Sequence, residues 1–378
     1  MGDAGPRVLV DATAVPEDRG GVGRYVDGLV QGLDALHADL VIACQPRDAE
    51  HLAALAPGAT VVPAPDRLSA RPARLAWEQT GLPALVRRTG AQVLHSPHYT
   101  LPLRAGVPTV VTLHDATFFT DPALHSGVKS RFFRTATRTA LRRASRCVVP
   151  SVATREELVR VAGADPARIV VAPHGVDRQV FAPPDAEARQ RVRELLGLAG
   201  QAYVAFVGTH EPRKNLPVLV RAWVAACRER VDPPALVLAG GAGWDAELED
   251  AAALVPEGLR LIRPGYLPLV DLAGLLGGAL VVAYPSLGEG FGLPVLEAMA
   301  CGAPVLTTRR LALPEVGGDA VAYAEPDAGS LTAALTGLLD DAPRRAELAR
   351  AGLTRVASFT WEASAEAHLK AYAHGLAG

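Results

Sequence analysis

Two short stretches carry side chains able to hold a phosphorylated sugar. The first is Phe206-Val207-Gly208-Thr209-His210-Glu211-Pro212-Arg213-Lys214-Asn215-Leu216, where an apolar run ends in Gly208, a loop follows, and helical spacing begins. Arg213 and Lys214 stand side by side where a diphosphate would need its charge neutralised. Charge-assisted contacts of this kind contribute about 1.5–3 kcal/mol each when partly buried. The second is Pro285-Ser286-Leu287-Gly288-Glu289-Gly290-Phe291-Gly292-Leu293-Pro294-Val295-Leu296-Glu297-Ala298-Met299, a glycine-rich turn that enters a helix with Pro294 in its first turn. Gly290 and Gly292 allow backbone to approach a ligand. The helix start around Phe291-Gly292-Leu293 offers free N–H groups and a positive dipole end, which suits a phosphate. Glu289 in the loop and Glu297 about one turn inside the helix project toward different parts of one extended ligand. Carboxylates accept hydroxyl hydrogen bonds strongly, so one fits a ribose and the other a sugar ring. The plain alternatives are a solvated basic turn and a surface glutamate. Loop, helix start and second acid occurring together favour function.

Residues so placed need strands behind them. Short β-branched runs alternate with amphipathic segments along the whole chain. The candidate strands are Arg7–Asp11, Asp39–Cys44, Thr60–Val62, Gln92–His95, Thr109–His114, Cys147–Pro150 and Ile169–Ala172, then Tyr203–Gly208, Ala235–Gly240, Arg260–Ile262, Ala279–Tyr284 and Pro304–Thr307. Several are near-continuous apolar runs, the pattern of parallel strands covered on both faces. The reading is an α/β chain of two doubly wound parallel-sheet domains facing a central cleft. The alternation breaks in the Pro-rich stretch Asp177–Asp185, before a helix over Ala186–Leu196. That puts the domains at 1–182 and 183–356, with a closing helix over 357–378 that Thr360 caps. Ligands of open α/β sheets bind at the carboxyl ends of strands, so the chemistry is expected on post-strand loops.

Composition agrees. At 378 residues, 49% hydrophobic and 21% charged, the chain is long enough for two buried cores. A net charge of −2 gives no field favouring nucleic acid. The four cysteines (Cys44, Cys147, Cys227 and Cys301) are far apart and lie in or beside apolar runs, which fits neither a zinc site nor a disulfide framework. With no signal-peptide pattern and no apolar run of about 18 residues, the expected location is the cytoplasm.

The motifs Gly-Thr-His-Glu-Pro-Arg-Lys-Asn-Leu, Glu-Gly-Phe-Gly-Leu-Pro-x-x-Glu-Ala-Met-Ala-Cys-Gly and Leu313-Pro314-Glu315-Val316-Gly317-Gly318-Asp319-Ala320 resemble glycosyltransferase family 4. The likeness spans essentially the whole chain, is most specific from Val207 to Ala320, and is closest to the mannosyltransferase-like branch. It implies a retaining hexosyltransferase of GT-B fold that takes a nucleotide sugar. GDP-mannose is the favoured donor, a UDP-sugar the alternative, and a glycan or lipid-linked molecule the acceptor. By the same resemblance Arg213 and Lys214 hold the diphosphate, Glu289 the donor sugar and Glu297 the ribose. The closing helix crosses back to the first domain, Gly21 and Gly23 border the phosphates and acceptor, and His114 lies beside the donor sugar. As a dinucleotide fingerprint Gly20-Gly21-Val22-Gly23 fails, because Val26 occupies the third glycine position. His98 and Asp115 share the strand-end setting of His114, as structural residues or as part of the site. His174-Gly175-Val176-Asp177 stands where the family more often has Asn, and Arg309-Arg310 where it has a Ser-rich turn.

Transfer places negative charge on a departing diphosphate, and two cations with a helix start can stabilise it. The chain has no Asp-x-Asp, so no metal and no further cofactor is expected. Lys129–Arg146 holds seven cations and no acid, with Arg131, Arg134, Arg138 and Arg142 at helical steps beside Phe132 and Phe133. It reads first as a solvated helix face. The second reading is peripheral contact with the inner face of an anionic membrane or a lipid-diphosphate acceptor. Two rival functions remain: a sugar-nucleotide epimerase on the same fold, and a non-catalytic sugar-nucleotide or glycan binder.

Overall fold

The computed structural model describes residues 5–17, 19–120 and 127–377. The chain divides into two compact units, Met1–Gly175 with Phe359–Gly378, and Val176–Ser358.

Unit 1 is built on β1 (Val8–Asp11), β2 (Leu40–Cys44), β3 (Thr60–Pro63), β4 (Val93–Ser96), β5 (Thr109–Thr112), β6 (Arg146–Val149) and β7 (Ile169–Val171). Unit 2 is built on β8 (Tyr203–Val207), β9 (Ala235–Ala239), β10 (Leu261–Gly265), β11 (Val281–Tyr284), β12 (Val305–Thr308) and β13 (Ala322–Ala324). The sheet orders are β3-β2-β1-β4-β5-β6-β7 and β10-β9-β8-β11-β12-β13, with every pairing parallel. The α/β class read from the sequence, with two doubly wound parallel sheets, is therefore correct. Central strands such as Val8–Asp11 and Tyr203–Val207 are buried at every residue, which is why they show no polar alternation. Each sheet has one place where strand order reverses, between β1 and β4 and between β8 and β11. Such switch points open a crevice at the carboxyl ends of the strands.

Several strand readings needed correction, among them β10, which runs past Ile262 to Gly265. β5 stops at Thr112, so Leu113 and His114 lie beyond the strand rather than in it. β13, Ala-Tyr-Ala, gave no apolar run long enough to be seen.

Six helices position the residues of interest: α1 (Gly20–Ala35), α2 (Arg71–Thr89), α3 (Gly127–Arg143), α4 (Leu216–Cys227), α5 (Leu293–Ala300) and α6 (Trp361–Leu376). Thr360 caps α6, its hydroxyl accepting from Ala363 N–H at 3.1 Å. Within unit 1, α6 lies on α1 at two glycines. A Cβ on Gly28 would sit 2.0 Å from the Trp361 ring, and one on Gly32 would sit 2.4 Å from the Trp361 carbonyl. Below them Val8, Val10, Leu29, Leu33, Ala365 and Tyr372 share one core. All four cysteines are buried and unbridged, as small hydrophobes. No described helix is long and apolar enough to cross a membrane.

Candidate active site

In unit 2 the two strands that flank the switch point deliver the charged residues. The loop after β8 ends in a short 3-10 turn, Pro212–Lys214, and Asn215 then takes a left-handed conformation (φ 60°) to start α4. Asparagine tolerates that region better than other side chains with a Cβ. Its amide also ties the loop across the sheet, donating to the carbonyls of Pro285 at 3.3 Å and Pro326 at 3.0 Å. The loop after β11 carries Ser286, Gly288 and Glu289 into contact with it.

The result is a closed cluster around Glu289. One carboxylate oxygen, Oε1, accepts from Lys214 Nζ at 2.7 Å, Ser286 Oγ at 2.6 Å and Tyr284 Oη at 3.1 Å. The other, Oε2, accepts from Arg213, which also donates to the Gly288 carbonyl at 2.8 Å. Lys214 Nζ sits 4.9 Å from the centre of the Tyr284 ring, which stacks on Phe206. Lys214 and Glu289 are each 7% exposed, so their charges interact with little screening. Burial alone would raise the Glu289 pKa. Arg213 and Lys214 outweigh it and hold the carboxyl at about 2. Burial and the neighbouring Arg213 push the Lys214 ammonium below its ordinary value, and Glu289 opposes them. Glu289 is therefore a charged counter-ion for both cations, a role the sequence did not reveal.

Three of the sequence-predicted residues thus meet. Glu297 is 2% exposed within α5, about one turn past the helix start. Gly292 forms that start at φ 107°, a left-handed conformation that demands glycine, and a Cβ there would come 2.9 Å from Leu313 Cδ2. Gly290, Phe291 and Leu293 are buried around it. Gly208 directly follows β8, and a Cβ on Gly240 would lie 2.1 Å from its carbonyl. Arg309 lies 4.1 Å over the Tyr323 ring and Arg310 is 3.6 Å from Glu325.

In unit 1, Gly21 and Gly23 belong to the first turn of α1 rather than to a loop before it. The bend sits just ahead, where Arg19 and Gly20 have φ of 54° and 43°. Gly23 is needed for space, its Cβ falling 2.5 Å from that of Arg19, whereas a Cβ on Gly21 would meet nothing within 4 Å. His114 donates from Nε2 to the Pro97 carbonyl at 2.8 Å. Burial lowers its pKa, with the Pro97 bond and Asp115 opposing. His98 lies 5.9 Å from it, ring to ring, and burial takes its pKa to about 3. Asp115 caps its own turn through Thr117. His174 is buried against Tyr25 and Trp361.

The basic run needed a correction. Arg131, Arg138 and Arg142 are exposed on α3, but Arg134 turns inward to donate to the Phe118 carbonyl at 2.5 Å. Phe132 and Val128 stay exposed, while Phe133 packs against Phe118, Tyr99 and His98.

One feature of unit 2 escaped the sequence reading. Beyond β8, β9 and β10 lies a cavity of about 290 Å³, bordered by His210, Gly240, Gly243, Asp245, Arg263 and Gly265. The glycines Gly240-Gly241 and Gly243 after β9 were its sequence signal, since a Cβ on Gly243 would meet the His210 carbonyl at 1.9 Å.

Residues 19–180 match Glycosyltransferase Family 4 and residues 188–355 match Glycosyl transferases group 1. O-antigen chain mannosyltransferase B of Escherichia coli is 34% identical over 285 residues, covering 74% of this chain and 74% of that protein. The chain belongs to glycosyltransferase family 4. D-inositol 3-phosphate glycosyltransferase of Mycobacterium avium (strain 104) is also 34% identical, over 74% of this chain and 69% of its own length. Two solved structures share the GT-B fold of this glycosyltransferase. Sucrose-phosphate synthase from Thermosynechococcus elongatus is 23% identical with a TM-score of 0.76, over 97% of this chain and 98% of that one. Anabaena Alr3699/HepE, in complex with UDP and glucose, is 18% identical with a TM-score of 0.73, over 96% and 97%. The Arg213–Lys214–Glu289 cluster of the family member described here therefore sits in the unit that matches Glycosyl transferases group 1.

Proposed function

We propose that this glycosyltransferase moves a hexose, mannose from GDP-mannose, to a hydroxyl of a glycan or lipid-linked acceptor. The observation that carries the reading is the cluster of Arg213, Lys214 and Glu289 at the switch point of unit 2. The name of the Escherichia coli relative supports mannose, and the UDP bound to the Anabaena protein keeps a UDP-sugar as the competing donor.

The donor diphosphate lies against Arg213, Lys214 and the first N–H groups of α5. As the bond from the anomeric carbon to the diphosphate oxygen breaks, negative charge grows on that oxygen. Fixed cations and helix-start N–H groups stabilise it without reorganising. Glu289 keeps the two cations in place and takes up a sugar hydroxyl, Glu297 holds the ribose, and the cavity beside His210 receives the base. In unit 1, His114 serves the donor sugar, and the first turn of α1 at Gly21 and Gly23 lets ligand pass close to the backbone. The acceptor attacks from the face the diphosphate leaves, which retains configuration. The two cations do the work for which other transferases use a divalent ion, so activity survives excess chelator.

Product analysis by NMR with GDP-mannose and a panel of glycan and lipid-linked acceptors tests this. The reading predicts a glycoside with the donor's anomeric configuration and free GDP. Interconversion of the nucleotide sugar without acceptor would mean an epimerase, and neither hydrolysis nor transfer would mean a binder. Chelator-abolished turnover restored by manganese would remove the metal-free mechanism. A lipid-linked acceptor would bring the enzyme to a membrane, which suits the exposed cations and Phe132 of α3. Unchanged sedimentation with anionic vesicles after Arg131, Arg138 and Arg142 become Glu would exclude that contact.

A further inference from the structure

A continuous line of polar side chains runs through the interior of unit 1, joining α6, β4, β5 and α1. Tyr372 Oη lies 2.9 Å from His95 Nδ1, and His95 Nε2 lies 2.9 Å from Thr112 Oγ1. Thr112 Oγ1 lies 2.7 Å from Tyr25 Oη, Tyr25 Oη lies 2.8 Å from His368 Nε2, and His368 Nδ1 lies 2.7 Å from the Ser364 carbonyl. None of the five side chains is more than 1% exposed.

Counting protons fixes the direction of every bond. The Ser364 carbonyl can only accept, so His368 carries its proton on Nδ1 and accepts at Nε2. Tyr25 must then spend its one proton on His368. Thr112 can therefore only donate to Tyr25, which uses the threonine's proton and makes His95 Nε2 the donor to Thr112. His95 Nδ1 is left to accept from Tyr372. The line has a single polarity, and reversing any one bond strands a buried donor or acceptor.

Its middle member touches the proposed reaction site. The Tyr25 ring meets His114 edge to face at 5.0 Å and His174 at 4.8 Å. Thr112, which holds the Tyr25 hydroxyl, precedes His114 by two residues along the chain. His114 Nε2 donates to the Pro97 carbonyl, which leaves Nδ1 as an acceptor with no partner among the described residues.

We infer that Tyr25, pinned by Thr112 and His368, is a positioning residue that holds His114 in one ring orientation, with its Nδ1 lone pair presented to a substrate hydroxyl. The functional half of this inference rests on the proposed role of His114 beside the donor sugar. The orientation does not. Through His368 the closing helix reaches the site by one hydrogen bond.

The test combines nitrogen-15 NMR of the histidines with kinetics. In the free protein His95 and His114 carry their protons on Nε2 and His368 on Nδ1. The opposite tautomer at His114 or His368 overturns the inference, whether or not the protein transfers sugar. In Tyr25→Phe the His114 signals split between tautomers, and kcat falls about tenfold while donor KM stays within about twofold. His368→Gln, whose amide oxygen still accepts from Tyr25, keeps most of the activity, and His368→Leu does not. The double variant Tyr25→Phe/His368→Leu removes both partners of the bond, so its melting temperature recovers relative to the single variants. Its kcat stays low. Activity returning in step with the melting temperature, or an unchanged His114 spectrum in Tyr25→Phe, would show that Tyr25 serves stability alone.

Discussion

At Gly21 the backbone is outside the left-handed region and an added methyl group would meet nothing within 4 Å, so the fold itself makes no demand for glycine. Gly21→Ala should leave the melting temperature unchanged or raise stability by up to about 1 kcal/mol, since alanine is the better helix former. If ligand passes close to this turn, kcat/KM falls at least about tenfold in the same variant. Full activity would return Gly21 to the status of an ordinary helical residue. Glu289 makes the opposite case, because the fold holds its carboxylate through Lys214, Arg213, Ser286 and Tyr284. Glu289→Gln leaves buried Lys214 without its counter-ion and Arg213 with its longer pair to Glu211 at 3.5 Å, a loss of about 3–5 kcal/mol for a broken buried pair. Added nucleoside diphosphate replaces the missing charge, so thermal unfolding should show a larger ligand-induced rise for the variant than for the wild type. Equal rises would place the diphosphate elsewhere. The identities of Arg213, Lys214 and Glu289 were legible because each follows a recognisable strand. Their mutual bonding was not. It depends on β8 and β11 lying side by side, and Lys214 and Glu289 are 75 positions apart in the chain.

Among the elements, α6 is tied into unit 1 by the close approach of Trp361 to Gly28 and Gly32 and by the hydrogen bonds of His368 and Tyr372. Buried histidines also make unit 1 sensitive to acid. Burial depresses the pKa of His95, His98, His114, His174 and His368, with His98 at about 3 and His368 at about 4. Among the described residues the acid that opposes this is Asp115 near His114, while His114, Arg74, Lys129 and Arg71 near His98 reinforce the depression. Above pH 6.5 these groups are neutral folded or unfolded and have no effect. Below it the unfolded chain takes up protons that the folded unit refuses, so stability is lost as pH falls from 6.5 toward 4. The slope is about 1.4 kcal/mol per pH unit for each such histidine. Urea unfolding at pH 7.5 and 5.5 should therefore show a large drop for unit 1, and a flat response would contradict the neutral network. At this scale the sequence was informative where apolar runs were long and poor where tertiary contact decides. β13 is three residues of Ala-Tyr-Ala, and His98 and His114 read only as strand-end residues, with no sign of the buried network behind them. Arg134 looked like part of an exposed stripe, yet its inward turn follows from the Phe118 carbonyl, which no periodicity reveals.

At the scale of the molecule, two parallel sheets of the same winding were readable because strands buried on both faces write unbroken apolar runs. The proposed donor side showed a pattern in the sequence because phosphate chemistry requires cations, glycine and a helix start in a fixed order. The acceptor was not, since hydroxyl recognition is spread over loops of unit 1 that share no motif. The account as a whole stands on Arg213 and Lys214 gripping the donor diphosphate. Isothermal titration of GDP-mannose and a UDP-sugar into the wild-type chain and into Lys214→Met measures this directly, with a urea transition for each to show that unit 2 is folded. The prediction is tighter binding of GDP-mannose by the wild type and a loss in affinity of about tenfold to a hundredfold in the folded variant, as for removal of a buried charge-assisted contact. Binding by Lys214→Met within about twofold of the wild type would contradict it.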